Sequence, residues 1–159
     1  MKDRLENCGI KSINNIVDIT NYVMLELGHP MHAFDSSKVS GEKIIVRKAF
    51  DKEQISTLDN KTYELTDNML VIADKEKALA VAGVIGGSFS AISDSTKDIF
   101  LESAVFEPGN IRKTSKTLNL STDSSYRFER GTSWKVAEKA SWRAINLITE
   151  LAGGRLETR

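Results

Sequence analysis

Residues 14–35, reading NNIVDITNYVMLELGHPMHAFD, decide how this chain folds around its most unusual side chains. Apolar residues recur at helical spacing in the first part of the segment and predict an amphipathic helix over residues 13–27. Gly28 supplies the helix stop, and Pro30 prevents the helix from starting again. The segment therefore predicts a helix that ends abruptly beside a short run of mixed apolar and polar groups.

The run after the helix, PMHAFD at residues 30–35, is predicted to lie on a loop. It holds His32 and Asp35 among apolar neighbours, which is a typical way to keep polar chemistry beside an apolar pocket. A lone histidine in a loop is nevertheless more often structural than catalytic. A Ser-His-Asp triad is not supported, because the chain has no Gly-x-Ser-x-Gly motif, and no spacing of His, Cys and Asp resembles a zinc site.

The order of the predicted elements along the chain indicates the fold class. A helix is followed by several strands and then by more helices, without a strict alternation of strand and helix. That order predicts an α+β fold with a mixed, mostly antiparallel β-sheet core layered with helices. Strands are predicted at residues 43–50 and 99–106, and residues 65–74 contain a further buried strand, MLVIAD. Residues 78–85 are small and apolar and run into Gly86 and Gly87, where AVAGVIGG reads as an apolar strand. A hairpin is predicted at 58–63, and further helices at 2–8, 110–118 and 134–152.

Composition and charge limit the classes of partner. Lysine plus arginine and aspartate plus glutamate both number 22, so any RNA contact must come from a local patch or from parts of a larger protein. The single cysteine, Cys8, excludes an internal disulfide and suits a reducing, cytoplasmic setting. No apolar run reaches membrane-spanning length, so we expect no membrane partner. The ends read as cut, and we expect residues 1–159 to form a single domain excised from a longer chain.

Glu102 is the most unusual residue of the predicted strand IFLESAVF, because both faces of that strand are largely apolar. A buried carboxylate is costly unless it is paired or hydrogen-bonded. Glu102 is therefore either an edge carboxylate that faces water or pairs with an arginine, or a pocket carboxylate that accepts a hydrogen bond from a ligand hydroxyl or ammonium.

Three glycines, Gly83, Gly86 and Gly87, interrupt the apolar stretch AVAGVIGG. Glycine within a strand marks either a β-bulge or a close approach of a ligand to the backbone. The spacing matches neither a P-loop nor a dinucleotide fingerprint. The glycines thus predict either a simple bulge or the floor of a pocket.

A further polar cluster, STDSSYRFERG, reads as a polar loop leading into a strand or turn. Thr122 and Ser124 lie either on a pocket rim or in a network of caps and ion pairs that supports the last helix. Upstream of this cluster, Arg112, Lys113 and Lys116 could contact phosphate, although such a run of charges is more often a solvated helix face.

Five motifs, in the order NNIVDITNYVMLELGHPMHAFD, LVIAD, AVAGVIGG, FLESAVF and STDSSYRFERG, resemble the beta subunit of bacterial phenylalanyl-tRNA synthetase. The resemblance covers about residues 5–154 and falls on the editing module of that subunit, its fused third and fourth domains. It implies a proofreading domain that hydrolyses the ester of tyrosine misattached to the phenylalanine tRNA. The implied partners are the misacylated tRNA and the synthetase alpha subunit. No cofactor is implied for the domain itself, since ATP and Mg serve aminoacylation elsewhere in the parent synthetase.

The same resemblance implies roles for individual residues. Glu102 matches the carboxylate that recognises the tyrosine hydroxyl, and Gly83 and Gly86 match glycines of the slot, where a side chain would block the ring. The remaining matched positions are the candidate catalytic residues Asn21, His32 and Thr122, which would position the hydrolytic water, and the substrate-binding residues Thr20, Pro30 and Ser124.

Two positions depart from the pattern of the family. Most relatives have alanine where this chain has Ser124, and many have glutamine where it has His29. Two alternatives to editing also stay open. The first is a non-catalytic structural or tRNA-contacting module of the same subunit, and the second is a free-standing binder of aromatic amino acids.

Overall fold

The computed structural model describes residues 1–157. Its α-helices are α1 (Lys2–Asn7), α2 (Asn15–Leu27), α3 (Pro108–Thr117), α4 (Asp123–Phe128) and α5 (Trp134–Ala152). Its β-strands are β1 (His32–Asp35), β2 (Ile45–Lys48), β3 (Gln54–Ser56), β4 (Thr62–Glu64), β5 (Leu70–Ala73), β6 (Ala78–Val81), β7 (Ile85–Gly86) and β8 (Ile99–Glu102).

The strands form three separate sheets rather than one. Four strands pair in the order β2-β5-β6-β7, while β1 pairs with β8 and β3 pairs with β4. Every one of these pairings is antiparallel, and the helices cover the sheets, so the predicted α+β class is confirmed. The main core lies on the four-stranded sheet and includes Val71, Leu79 and Val81 together with Phe106 and Phe128.

Helix α2 ends where its sequence predicts and begins at Asn15, slightly later than the predicted start. The side chain of Asn14 accepts a hydrogen bond from the backbone N–H of Val17 at 2.9 Å, which satisfies one of the free donors of the first turn. Gly28 ends the helix in the left-handed conformation, with φ of 72°, which costs glycine little. The buried residues Ile19 and Val23 of α2 pack against the small alanines of α5, so the two helices form a second core beside the sheet.

The predicted loop at residues 30–35 is wrong, because residues 32–35 form strand β1. This strand pairs with β8 in a register that sets His32 opposite Glu102 and Phe34 opposite Phe100. The partner strand lies more than sixty residues away in the sequence, so local periodicity carries no trace of the pairing. The histidine therefore projects from a paired strand and not from a loop.

The prediction that AVAGVIGG forms one apolar strand is also wrong, because the stretch is divided between two strands. Strand β6 ends at Val81, and the chain turns through Gly83, with φ of 67°, into the two-residue strand β7. The glycine thus marks a tight hairpin and not a β-bulge. The segment expected to be a polar loop contains the short helix α4, whose N-cap is Thr122.

No helix within residues 1–157 is long and apolar enough to cross a membrane.

Candidate functional site

A cavity of about 230 Å³ lies where α2, β1, β6, β7, β8 and the start of α4 meet. Eight of the nine predicted site residues line this cavity: Asn21, Pro30, His32, Gly83, Gly86, Glu102, Thr122 and Ser124. Apolar residues of the sheet and of α2, including Met24 and Val81, supply most of the remaining lining. The site is therefore an apolar cavity with a few polar groups, which is the usual composition of a small-molecule site.

Glu102 ends strand β8 and lines the cavity while only partly exposed. Within the described residues its carboxylate has neither an ion-pair partner nor a hydrogen-bond donor. Desolvation by burial raises the pKa of this carboxyl to about 7. Of the two possibilities that the sequence left open, the structure favours the pocket carboxylate, because no arginine within residues 1–157 pairs with Glu102 and a void lies beside it.

His32 lies directly across the β1–β8 ribbon from Glu102, so both side chains leave the same face. Its Nε2 atom is buried and has no hydrogen-bond partner in the described part of the chain, and its ring meets the ring of Phe34 edge-on at 4.6 Å between centroids. Burial lowers the pKa of the imidazole to about 4, so the ring is neutral at pH 7. A neutral imidazole offers one acceptor and one donor nitrogen to a ligand or to water.

Gly86 makes room for His32. A Cβ built at Gly86 would collide with Cε1 of His32 and would stand 2.8 Å from its Nε2 and 3.0 Å from a methyl group of Leu58. Gly86 lines the cavity, and it also allows the imidazole to lie against the backbone of β7. A side chain here, which is expected to block the ligand ring, would in addition displace the imidazole of His32.

Gly83 serves the fold in a different way. Its backbone is left-handed, and a Cβ built on it would stand 2.8 Å from both Ile111 and Phe106. These two side chains belong to the main core. An added methyl group at Gly83 would thus collide with the core beneath the cavity, so turn conformation and packing both favour glycine at this lining position.

Thr122 is held by structural hydrogen bonds. Its hydroxyl donates to the backbone carbonyl of Val84 at 2.7 Å and accepts from the backbone N–H of Ser125 at 3.0 Å. Ser125 in turn accepts from the N–H of Thr122, so the two residues form a capping box for α4. The cap interpretation is therefore correct for α4 rather than for the last helix. Thr122 also fastens α4 to the β6–β7 hairpin, which fixes one wall of the cavity.

The other predicted polar residues divide into those that face the cavity and one that does not. Asn21 and Ser124 line the cavity, and their side chains make no hydrogen bond within residues 1–157. Thr20 is buried, and its hydroxyl donates to the carbonyl of Val17 in the same helix at 2.9 Å. Thr20 is not part of the cavity lining, because one residue along a helix turns its side chain away by about 100°.

Several lining residues escaped the sequence reasoning. Leu58 reaches the cavity from the β3–β4 hairpin, and its N–H donates to the carbonyl of Gly86 at 3.0 Å. Met31 and Asp123 also line it. The sequence offered little signal for these three residues. Met31 and Asp123 are neighbours of predicted site residues, and Leu58 lies in the predicted hairpin.

His29, one of the two positions that depart from the family pattern, lies next to the cavity without lining it. The side chain is fully buried, neither ring nitrogen has a hydrogen-bond partner, and the ring meets Phe128 edge-on at 5.8 Å. Desolvation lowers the pKa of this imidazole. His29 thus behaves as a neutral packing group behind Pro30 and not as a ligand of the cavity.

A second, more open groove of about 430 Å³ runs between α1 and α2, lined by residues such as Leu5, Cys8 and Tyr22. It contains none of the predicted site residues. Within residues 1–157 no group of three or more His, Cys, Asp or Glu side chains could hold a metal ion.

Comparison with known proteins gives a consistent result. The family model described as "B3/4 domain" matches residues 1–153. The chain is 57% identical over 157 residues to the phenylalanine–tRNA ligase beta subunit of Aquifex aeolicus, covering 99% of this chain and 20% of that protein. The corresponding subunit of Geobacter metallireducens is 52% identical, covering 98% of this chain and 19% of that protein.

The same subunit of Thermotoga maritima is 48% identical over 154 residues, covering 97% of this chain and 20% of that protein. The chain thus spans about a fifth of the length of the curated relatives that it matches. Because the family model covers nearly all of the described residues, the chain belongs to the B3/4 domain family.

Proposed function

We propose that this domain is the proofreading module of a phenylalanine–tRNA ligase beta subunit and hydrolyses the ester of tyrosine misattached to the phenylalanine tRNA. Its partners are then the misacylated tRNA and the ligase alpha subunit, and its setting is the cytoplasm. The observation that carries the proposal is the unpaired carboxylate of Glu102 in a cavity with apolar walls. The names and the high identity of the relatives support the choice of ligase.

The chemistry of Glu102 suits a reader of the phenolic hydroxyl. Tyrosine and phenylalanine differ by one hydroxyl, and an apolar pocket alone cannot separate them strongly. A carboxylate without a partner gains a hydrogen bond from a ligand that can donate one. It stays unsatisfied beside a ligand that has no donor. Glu102 has no competing donor among the described residues, so the tyrosine hydroxyl would be the partner that it lacks.

Hydrolysis of the ester needs a water held in line with the carbonyl. His32 is suited to this task, because its Nε2 atom is buried, unpartnered and neutral at pH 7. The free amide of Asn21 can donate to the carbonyl oxygen as negative charge develops there. Thr122 contributes mainly by position, since its hydroxyl proton is already donated to Val84, and only a remaining lone pair can accept from water.

The first experiment measures deacylation by a complete phenylalanine–tRNA ligase whose beta subunit carries this sequence. We expect tyrosyl-tRNA to be cleared at least about 100-fold faster than phenylalanyl-tRNA, as a site that reads a hydroxyl allows. Clearance of neither substrate would favour the non-catalytic module. Binding of free tyrosine and free phenylalanine with equal affinity would favour a general binder of aromatic amino acids.

The discrimination should also depend on pH. Burial raises the pKa of the Glu102 carboxyl to about 7, so lowering the pH from about 8 to about 6 neutralises it. A hydrogen bond to an ionised acceptor is roughly twice as strong as a neutral one. We therefore expect the ratio of kcat/KM for tyrosyl-tRNA to kcat/KM for phenylalanyl-tRNA to fall about threefold to tenfold over this range.

This ratio cancels the pH dependence of ester hydrolysis itself. The matched control is Glu102→Gln, whose side chain has a similar shape and does not titrate, so its ratio should stay flat with pH. A ratio that is flat in the unaltered ligase, or that rises as the pH falls, would contradict the role given to the carboxylate.

A further inference from the structure

We propose that Arg112, Lys113 and Lys116 on α3 form a contact surface for the phosphates of the RNA strand whose 3′ end enters the cavity. This basic stripe, as we call these three residues, rests on the proposed function, because it names where the polyanionic part of the same substrate lies. The occupant to which it commits is a single-stranded RNA backbone.

Helix α3 has two distinct faces. Ile111, Thr114 and Ser115 are buried against the rest of the domain. All three side chains of the basic stripe are exposed. With about 3.6 residues per turn, the positions of the stripe follow one another across the opposite face and form a continuous strip of positive charge. The stripe is thus presented to solvent by a helix whose other face is fixed in the core.

The charge of the stripe is not neutralised locally. From Pro108 to Leu120 the sequence contains three cations and no acidic residue. The preceding Glu107 uses its carboxylate to accept from the N–H groups of Gly109 and Asn110, at 2.8 and 2.5 Å. Within the described residues no member of the stripe takes part in an ion pair or a cation–π contact. The positive charge is therefore available to a partner.

Arg112 is unusual among the arginines of the chain. The other arginines between residues 1 and 157 all donate hydrogen bonds to a partner: Arg4 to Tyr22, Arg47 to Glu53, Arg127 to Asp123, Arg130 to Glu129, Arg143 to Glu26 and Arg155 to Glu157. Only Arg112 lacks one among these residues. A guanidinium is planar and can donate two parallel N–H hydrogen bonds to one phosphate group. An arginine without a protein partner is therefore well suited to bind a phosphate.

The stripe also lies close to the cavity. Ile111, the neighbour of Arg112, packs beneath Gly83, which lines the cavity floor. Helix α3 packs against α4, whose first turn forms the cavity wall at Thr122 and Ser124. A helix is about 10–12 Å wide with its side chains, so the stripe lies within a few nucleotides of a substrate held in the cavity. The formal charge of the whole chain is zero, so the chain outside the stripe carries more acidic than basic side chains and gives no comparable global attraction for RNA.

The test uses the complete ligase with Arg112→Ala, Lys113→Ala and Lys116→Ala combined. Alanine favours helix, so α3 should be retained. We expect KM for tyrosyl-tRNA to rise about tenfold, kcat to change less than about twofold, and the slope of log KM against log salt to fall by about 2–3, one for each lost phosphate contact. The matched control is Lys135→Ala with Lys139→Ala, two exposed cations on α5, which should leave all three values unchanged.

A second measurement keeps the two proposals separable. Acetylation of Lys113 and Lys116, followed by mass spectrometry, should be slowed by misacylated tRNA at low salt, while Lys135 and Lys139 should react as before. An unaltered ligase that fails to clear tyrosyl-tRNA would contradict the proposed proofreading function. Protection of Lys113 and Lys116 from acetylation would then test, independently, whether the stripe contacts RNA. If clearance is normal but the triple variant keeps its KM and its salt slope, or matches the control variant, the stripe is overturned.

Discussion

Replacing Glu102 with alanine is expected to lower kcat/KM for tyrosyl-tRNA deacylation by at least about 100-fold, because the carboxylate that is proposed to accept the phenolic hydrogen bond is lost. The carboxylate has no other partner within residues 1–157, so its removal leaves no orphaned donor and disturbs little else. The slow clearance of phenylalanyl-tRNA should change less than about threefold, since phenylalanine never makes this hydrogen bond. Parallel deacylation assays of the two substrates measure both effects.

The control variant Glu102→Gln separates recognition from stability. At about pH 8 the native carboxylate is ionised in a desolvated place, which raises its pKa and costs folding free energy. That cost is present above the folded pKa of about 7 and disappears as the pH falls toward 4.5, the ordinary value of the group. We therefore expect Glu102→Gln to be more stable than the unaltered chain at about pH 8, by on the order of 1–2 kcal/mol, and no more stable at about pH 4.5. A variant that is less stable at the higher pH would show that Glu102 holds the fold instead, and a variant that clears tyrosine normally would contradict recognition by the ionised carboxylate.

Replacing Gly83 with alanine is expected to reduce the free energy of unfolding by about 2–5 kcal/mol. The backbone there is left-handed, with φ of 67°, and the new methyl group would stand 2.8 Å from both Ile111 and Phe106. A left-handed conformation costs an L-residue about 1–2 kcal/mol, and overpacking a core adds about 1–3 kcal/mol. Denaturant unfolding of the 159-residue chain measures the loss.

The matched control is Gly9→Ala. Gly9 is also left-handed, with φ of 80°, but nothing lies within 4 Å of an added Cβ. This variant isolates the backbone cost, and we expect a loss of only about 1–2 kcal/mol. Equal losses in the two variants would mean that the core adapts freely around Gly83, and the packing explanation for the glycine would be wrong.

The sequence predicted those parts of the fold that depend on local signals. Helix α2 carries its own cap at Asn14 and its own stop at Gly28, and α5 lies where its apolar stripe puts it. Strand β1 was missed because its partner β8 lies far along the chain, and tertiary pairing outweighed the local reading of a loop. Helix α4 was missed because its six residues are too few to show a helical period.

The candidate site divides in the same way. Glu102 was recognisable because a carboxylate in an apolar strand is a conflict that calls for a ligand or a partner. The position of Glu102 directly across from His32 could not be predicted, since it follows from the β1–β8 register alone. Nor did the sequence tell why the glycines are glycines. An added Cβ would collide with the His32 imidazole at Gly86 and with core side chains at Gly83. Both contacts involve residues that are remote in the sequence.

The most direct measurement is a crystal structure of the domain with tyrosine bound, compared with one grown with phenylalanine. Recognition through Glu102 predicts the phenolic oxygen about 2.6–2.8 Å from a carboxylate oxygen of Glu102, with the aromatic ring between the apolar walls of the cavity. It also predicts weak or absent density for phenylalanine under the same conditions. A tyrosine whose hydroxyl points away from Glu102, or that binds outside this cavity, would contradict the central claim.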